Sequence, residues 1–112
     1  MSQQSGPAFE LKGTAATLTV LRLRCNDVER IGAELRPRVA QLPHFFEHAP
    51  VVLDVGGLDE GLDLSFDALL AELRRSKLVP VAIRNAEGKR LEAALDAGLG
   101  QLKGGGGRAL RQ

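Results

Sequence analysis

Pro50-Val51-Val52-Leu53-Asp54-Val55, closed by Gly56-Gly57, is almost uniformly apolar and rich in β-branched residues. A strand wet on one face alternates apolar with polar side chains. A continuous apolar run is the pattern of a central strand covered on both faces, and such strands belong to parallel sheets flanked by helices. A second run of this kind, Leu78-Val79-Pro80-Val81-Ala82-Ile83, lies downstream, with Pro80 disfavouring full pairing at its own position. Between the two, residues 65–76 carry Phe66, Leu69, Leu70 and Leu73 at helical spacing. Ser65 is placed to cap this helix, and Arg74, Arg75 and Lys77 suit its negative end. Strand, helix and strand in that order imply parallel neighbours joined by a right-handed crossover.

The pattern continues outward in both directions. Asn85 is a candidate cap for a third helix over 86–97, with Leu91, Ala94 and Leu95 on its buried face and Gly98 to end it. Residues 99–102 supply a last short strand. Upstream, Asn26 and Glu29 have capping-box spacing, and Val28, Ile31, Leu35, Val39 and Leu42 mark one helical face. Pro37 interrupts that face and predicts a kink, and Pro43 ends it. Further upstream, Phe9-Glu10-Leu11-Lys12-Gly13 alternates, and residues 17–24 form a stronger β pattern. The short glycine-containing gap between them predicts an antiparallel hairpin. The expected fold is α/β, with one mixed sheet, an N-terminal antiparallel hairpin and about three helices, in the order β-β-α-β-α-β-α-β.

With 112 residues the chain fits one domain. Residues 1–7 read as a disordered leader, 8–102 as the domain, and 103–112 as a flexible glycine-rich tail. A tether followed by only five more residues suggests a domain from a longer protein. Net charge is +1, and no aromatic residues interleave the basic ones, which argues against a nucleic-acid binder. The lone Cys25 forms no internal disulfide. No apolar run reaches membrane-spanning length, and no secretory signal opens the chain. A cytoplasmic protein without direct membrane binding is the expectation.

The residues offer no catalytic set. His44 and His48 have metal-ligand spacing, but nothing completes a site. Cys25 reads as a packed thiol at a strand end. Gly104 to Gly107 lack the lysine and helix of a phosphate loop, and Gly56-Gly57 lack the third glycine of a dinucleotide fingerprint. Asp54 ends a parallel strand, where active sites often lie, but no base or nucleophile accompanies it. The expectation is a protein that is not an enzyme and uses no cofactor or metal. The basic residues are more informative. Lys12, Arg22 and Arg24 on the hairpin and Arg30, Arg36 and Arg38 on the first helix could form a face for an acidic protein partner.

Phe9-Glu10-Leu11-Lys12-Gly13, residues 17–23, the stretch Pro43-His44-Phe45-Phe46-Glu47-His48-Ala49-Pro50-Val51-Val52-Leu53-Asp54 and residues 78–84 together resemble the amino-terminal domain of MinC-type cell-division inhibitors. The resemblance covers most of residues 8–100. It implies a domain that binds the tubulin-like protein FtsZ and disrupts its polymers, preventing a misplaced division septum. It implies that MinD is reached only through a carboxy-terminal β-helical domain absent from this chain. The FtsZ-binding residues it implies are Lys12, Gly13, Thr19, Arg38 and Phe45. A weaker resemblance, through Val51 to Leu58, is to the phosphorylation-switched STAS regulators, whose fold is similar in outline. In that reading Ser65 is the switch, although the family's D-S-S-G-type motif is missing. A leading hairpin also allows a homodimer by strand exchange.

Overall fold

In the computed structural model of the chain, residues 6–103 are described. The expected leader lies largely, and the expected glycine-rich tail almost wholly, outside them. The elements are β1 (Thr19–Arg22), α1 (Val28–Gln41), α2 (Pro43–Phe46), β2 (Pro50–Asp54), α3 (Phe66–Arg75), β3 (Val79–Arg84), α4 (Gly88–Asp96) and β4 (Gly100–Gln101). The strands form one four-stranded sheet in the order β1-β2-β3-β4, and every pairing is parallel.

Neither the expected antiparallel hairpin nor the mixed sheet is formed. Residues 9–13 make no strand, and Phe9 and Leu11 stand 71% and 89% exposed. The turn chemistry explains this. Residues 13–18, Gly-Thr-Ala-Ala-Thr-Leu, contain none of the Asn-Gly or Asp-Gly pairs that close a tight hairpin. β1 pairs with β2 instead, Leu21 opposite Leu53 and Arg22 opposite Asp54.

Sequential parallel strands with right-handed crossovers place every crossover helix on the same face of the sheet. The core lies there. Leu23, Val51, Leu53, Val55 and Ile83 from the sheet side meet Phe66, Leu69, Leu70 and Leu73 of α3 and Ala94 of α4. Leu53, Leu69, Leu73 and Ile83 are wholly buried, and each contributes about 2 kcal/mol through removal from water. Ile31, Leu35 and Val39 bring α1 against the same cluster. The other face carries Val20, Val52 and Ala82 in a row across three strands. β2 is buried on this face as well, as its uniform apolarity predicted, since Val52 is as fully shut off from solvent as Val51 and Leu53.

The helix ends follow local chemistry. Asp27, one residue after the expected Asn26, caps α1 by accepting from the Arg30 N–H at 3.2 Å, while the Asn26 amide donates to the Asp63 carbonyl at 2.7 Å. α1 continues past Pro37 to Gln41, and α2 adds a fourth, one-turn helix led by Pro43. Ser65 caps α3 as expected, accepting from the Ala68 N–H at 3.3 Å. Its hydroxyl therefore has a structural task. Gly98, at φ 102°, ends α4 in a conformation that other residues rarely adopt.

Candidate partner-binding surface

The basic residues divide into two populations. Some are held by two buried carboxylates, and the others line an open groove.

Asp54, at the end of β2, is 1% exposed. Arg22 Nη1 on β1 donates to its Oδ2 at 3.2 Å, and Arg84 Nη2 on β3 to the same oxygen at 3.1 Å. Its Oδ1 accepts from the Gly56 N–H at 2.9 Å and from Asn85 Nδ2 at 3.0 Å. Register explains the convergence, because Arg22, Asp54 and Arg84 occupy one row of the parallel ladder. Asn85 reaches in from a positive φ of 64°, which asparagine tolerates better than most residues. It does not cap α4. Burial alone would push the Asp54 carboxyl up, but the hydrogen bonds from Asn85, Gly56 and Arg84 and the Arg84 charge outweigh it and hold the group below its ordinary range. A carboxylate with four donors and a depressed pKa is a poor general base.

Glu72 on α3 is also buried and accepts from Arg36 of α1 and from Arg75 one turn along α3. The Arg75 hydrogen bond, against the opposing effect of burial, and the Arg36 pairing hold its carboxyl low. Gly32 of α1 lies directly over it, and a Cβ at that position would collide with the Glu72 carboxylate. Arg36 therefore ties α1 to α3.

The groove runs between β1 and α1, has a volume of about 390 Å³, and is floored by Leu21, Ile31 and Leu35. Arg24, Arg30 and Arg38 line it with Glu34. Arg30 Nε donates to Glu34 at 3.0 Å, and this hydrogen bond raises the arginine's pKa further. Arg24 and Arg38 have no carboxylate partner among the described residues.

The structure places the five anticipated contact residues as follows. Arg38 lies in the last turn of α1, exposed and lining the groove. Thr19, half-buried, starts the adjacent β1. Phe45 is 63% exposed on α2, its ring edge-on to the half-buried Phe46 at 4.8 Å. It is a surface aromatic, and Phe46 is the one that packs on the core. Lys12 and Gly13 lie on the extended segment before β1. There Lys12 pairs only with Glu10, at 3.5 Å, and a Cβ on Gly13 would meet nothing within 4 Å. Arg38, Thr19 and Phe45 thus belong to the β1–α1–α2 side of the domain, while Lys12 and Gly13 stand apart from its packed body. His44 and His48 fall on either side of the end of α2, so they do not share a helix face. The sequence reading missed the roles of Arg84, Asn85 and Glu72. For Arg84 the signal was present, since it ends a strand parallel to the one that Asp54 ends.

The family model for the septum formation inhibitor MinC, N-terminal domain, matches residues 9–80. The chain belongs to the MinC amino-terminal domain family. A probable septum site-determining protein MinC of Stutzerimonas stutzeri is 38% identical over 106 residues, covering 94% of this chain and 44% of that protein. A MinC of the same description from Pseudomonas aeruginosa PAO1 is 38% identical over 103 residues, 91% of this chain and 39% of its own length. One from Shewanella frigidimarina is 36% identical over 97 residues, covering 87% and 43%. The chain spans less than half the length of these MinC relatives. Among the described residues, no helix is long and apolar enough to cross a membrane.

Proposed function

We propose that the chain is a septum-formation inhibitor domain that binds FtsZ and weakens its polymers by docking, without turning over a substrate. The observation that carries this reading is the MinC family match over residues 9–80, an interval that contains Lys12, Gly13, Thr19, Arg38 and Phe45. The chemistry of those positions supports it. Arg38 supplies an uncompensated cation, and Phe45 an exposed aromatic anchor of the kind that dominates interfaces. Lys12 adds a second exposed cation, and Gly13 leaves room for close backbone approach. In this reading MinD is contacted by the family's other domain and not by these residues. The site of action is the cytoplasm.

The test is sedimentation of FtsZ polymer formed with GTP, across increasing ratios of the chain. Sedimentable polymer falls as the chain is added, and the effect weakens as salt screens the cations. Phe45→Ala and Lys12→Glu reduce the effect at least several-fold while the domain stays folded, because both side chains are exposed. Undiminished polymer at a tenfold excess of folded chain would refute the reading.

A further inference from the structure

β1 is the edge strand of the sheet, and its outer side carries no backbone hydrogen bond among the described residues. The ladder fixes which groups are open. The Leu23 N–H donates to the Asp54 carbonyl at 3.0 Å. Bonded residues alternate along a parallel strand, so Thr19, Leu21 and Leu23 turn their main chain toward β2, and Val20 and Arg22 turn theirs outward. An edge of this kind is a template for another strand unless something blocks it. β1 carries neither a proline nor a bulge. Beside it lies the groove, apolar at the floor through Leu21, Ile31 and Leu35 and cationic at the rim through Arg24 and Arg38. Main-chain groups, an apolar slot for alternate side chains and a charged rim are the three elements by which sheets capture extended peptides.

We infer that this groove takes an extended acidic segment of another protein, added to the sheet at β1 as a fifth strand. On the face turned to α1, apolar side chains of that segment enter the slot over Leu35, and carboxylates at its ends on the same face meet Arg24 and Arg38 at the rim. Charge sets the choice of occupant. Four arginines line the groove against the single carboxylate of Glu34; Arg22 is committed to Asp54 and Arg30 to Glu34, which leaves Arg24 and Arg38 for an occupant. The inference shares Arg38 with the FtsZ reading but does not need it, since it concerns how the groove recognises a segment and not which protein carries it.

The probe is a fluorescein-labelled heptapeptide with aspartate at its first and last positions, leucine at the third and fifth and threonine between, so that acids and leucines share one face; it is titrated with the full chain and read by anisotropy. Binding saturates, and the matching lysine–leucine peptide binds at least ten times more weakly. Equal binding of the two would overturn the choice of an acidic segment. N-methylating one set of alternate amides weakens binding at least tenfold, whereas methylating the other set leaves it nearly unchanged. An equal response to both sets would overturn strand addition. The double variant R24E/R38E, both positions exposed, loses at least tenfold with an unchanged circular dichroism spectrum. A variant lacking residues 1–12 removes the chain's own alternating Phe9–Lys12 segment as a competitor for the edge. If the acidic peptide binds neither that variant nor the full chain, or if only peptides copying residues 8–13 bind, the occupant is not a partner's acidic segment. FtsZ is absent from this assay, so its outcome and that of the sedimentation test are independent.

Discussion

Arg22, the last residue of β1, and Arg24, two residues beyond it, have opposite fates. Arg22 reaches Asp54 and, with Arg84, neutralises a carboxylate that is almost wholly buried. Arg24 lines the groove and pairs with no carboxylate among the described residues. The same division separates Arg36, bound to Glu72, from Arg38 on the next stretch of α1. A count of basic residues on β1 and α1 would make one cationic face of all of them. The structure divides them into charges that hold elements together and charges left for something else. The difference lies in whether packing has delivered a carboxylate within reach, which charge alone cannot reveal.

The largest effect that would break this comparison comes from Asp54. Asp54→Ala removes the acceptor for Arg22, Arg84, Asn85 and the Gly56 N–H at once, leaving Arg84 only 16% exposed and without its partner. The expected loss is about 3 kcal/mol, the order found when one partner of a buried pair is deleted. Urea unfolding measures it directly. Arg24→Ala and Arg38→Ala, by contrast, shift stability by no more than about 0.5 kcal/mol, as exposed substitutions away from special features do. If Arg24→Ala cost as much as Asp54→Ala, the division into two populations would fail.

A smaller effect follows from pH. The Asp54 and Glu72 carboxyls both lie below their ordinary range in the folded chain. In the unfolded chain they titrate near about 3.9 and 4.3. A depressed folded pKa gives stability that is fully present above the unfolded value and is lost as pH falls through the folded one. These two sites therefore leave stability flat from pH 7 down to about pH 5, and drain it progressively below about pH 4. Urea midpoints at pH 6, 4 and 3 trace the fall. The gap between the native chain and Asp54→Asn narrows over the same interval, because acid protonates in one protein what the substitution has already neutralised in the other. A constant gap down to pH 3 would show that Asp54 contributes through shape and not through charge.

Much of the fold was legible because it rests on short-range signals. The apolar runs at 51–55 and 78–83, the Ser65 cap and the Gly98 stop all act within a few residues of themselves, and each was found where it was read. The hairpin was misread because alternation in Phe9–Lys12 records only that a segment could lie half-buried, not that a partner strand is within reach. The cover on both faces of β2 was read correctly from its continuous apolar run, since Val51, Val52, Leu53 and Asp54 are all buried. Whether Phe45 is core or surface was not legible in the sequence, because Phe45 and Phe46 are adjacent and either could have packed inward; in the structure Phe45 is exposed and Phe46 packs on the core. The Asp54 cluster was not legible either, because its members are joined by strand register across about thirty residues of chain.

The finest probe of the comparison is Gly32. Glycine within a helix costs about 1 kcal/mol relative to alanine, so Gly32→Ala should stabilise α1 if nothing opposes it. Here the Glu72 carboxylate opposes it, since the new Cβ would occupy its space. A glutamate terminus is normally flexible enough to move aside, but this one is tied from two directions by Arg36 and Arg75. Moving it would strip a buried acid of its donors. Gly32→Ala in the native chain is therefore destabilising. In a Glu72→Ala background the same substitution becomes stabilising by about 1 kcal/mol, the ordinary helix preference. A double-mutant cycle in urea reads the reversal of sign. If Gly32→Ala stabilised both backgrounds equally, Glu72 would be loose enough to give way. Arg36 would then count with Arg38 among the charges that the fold leaves free.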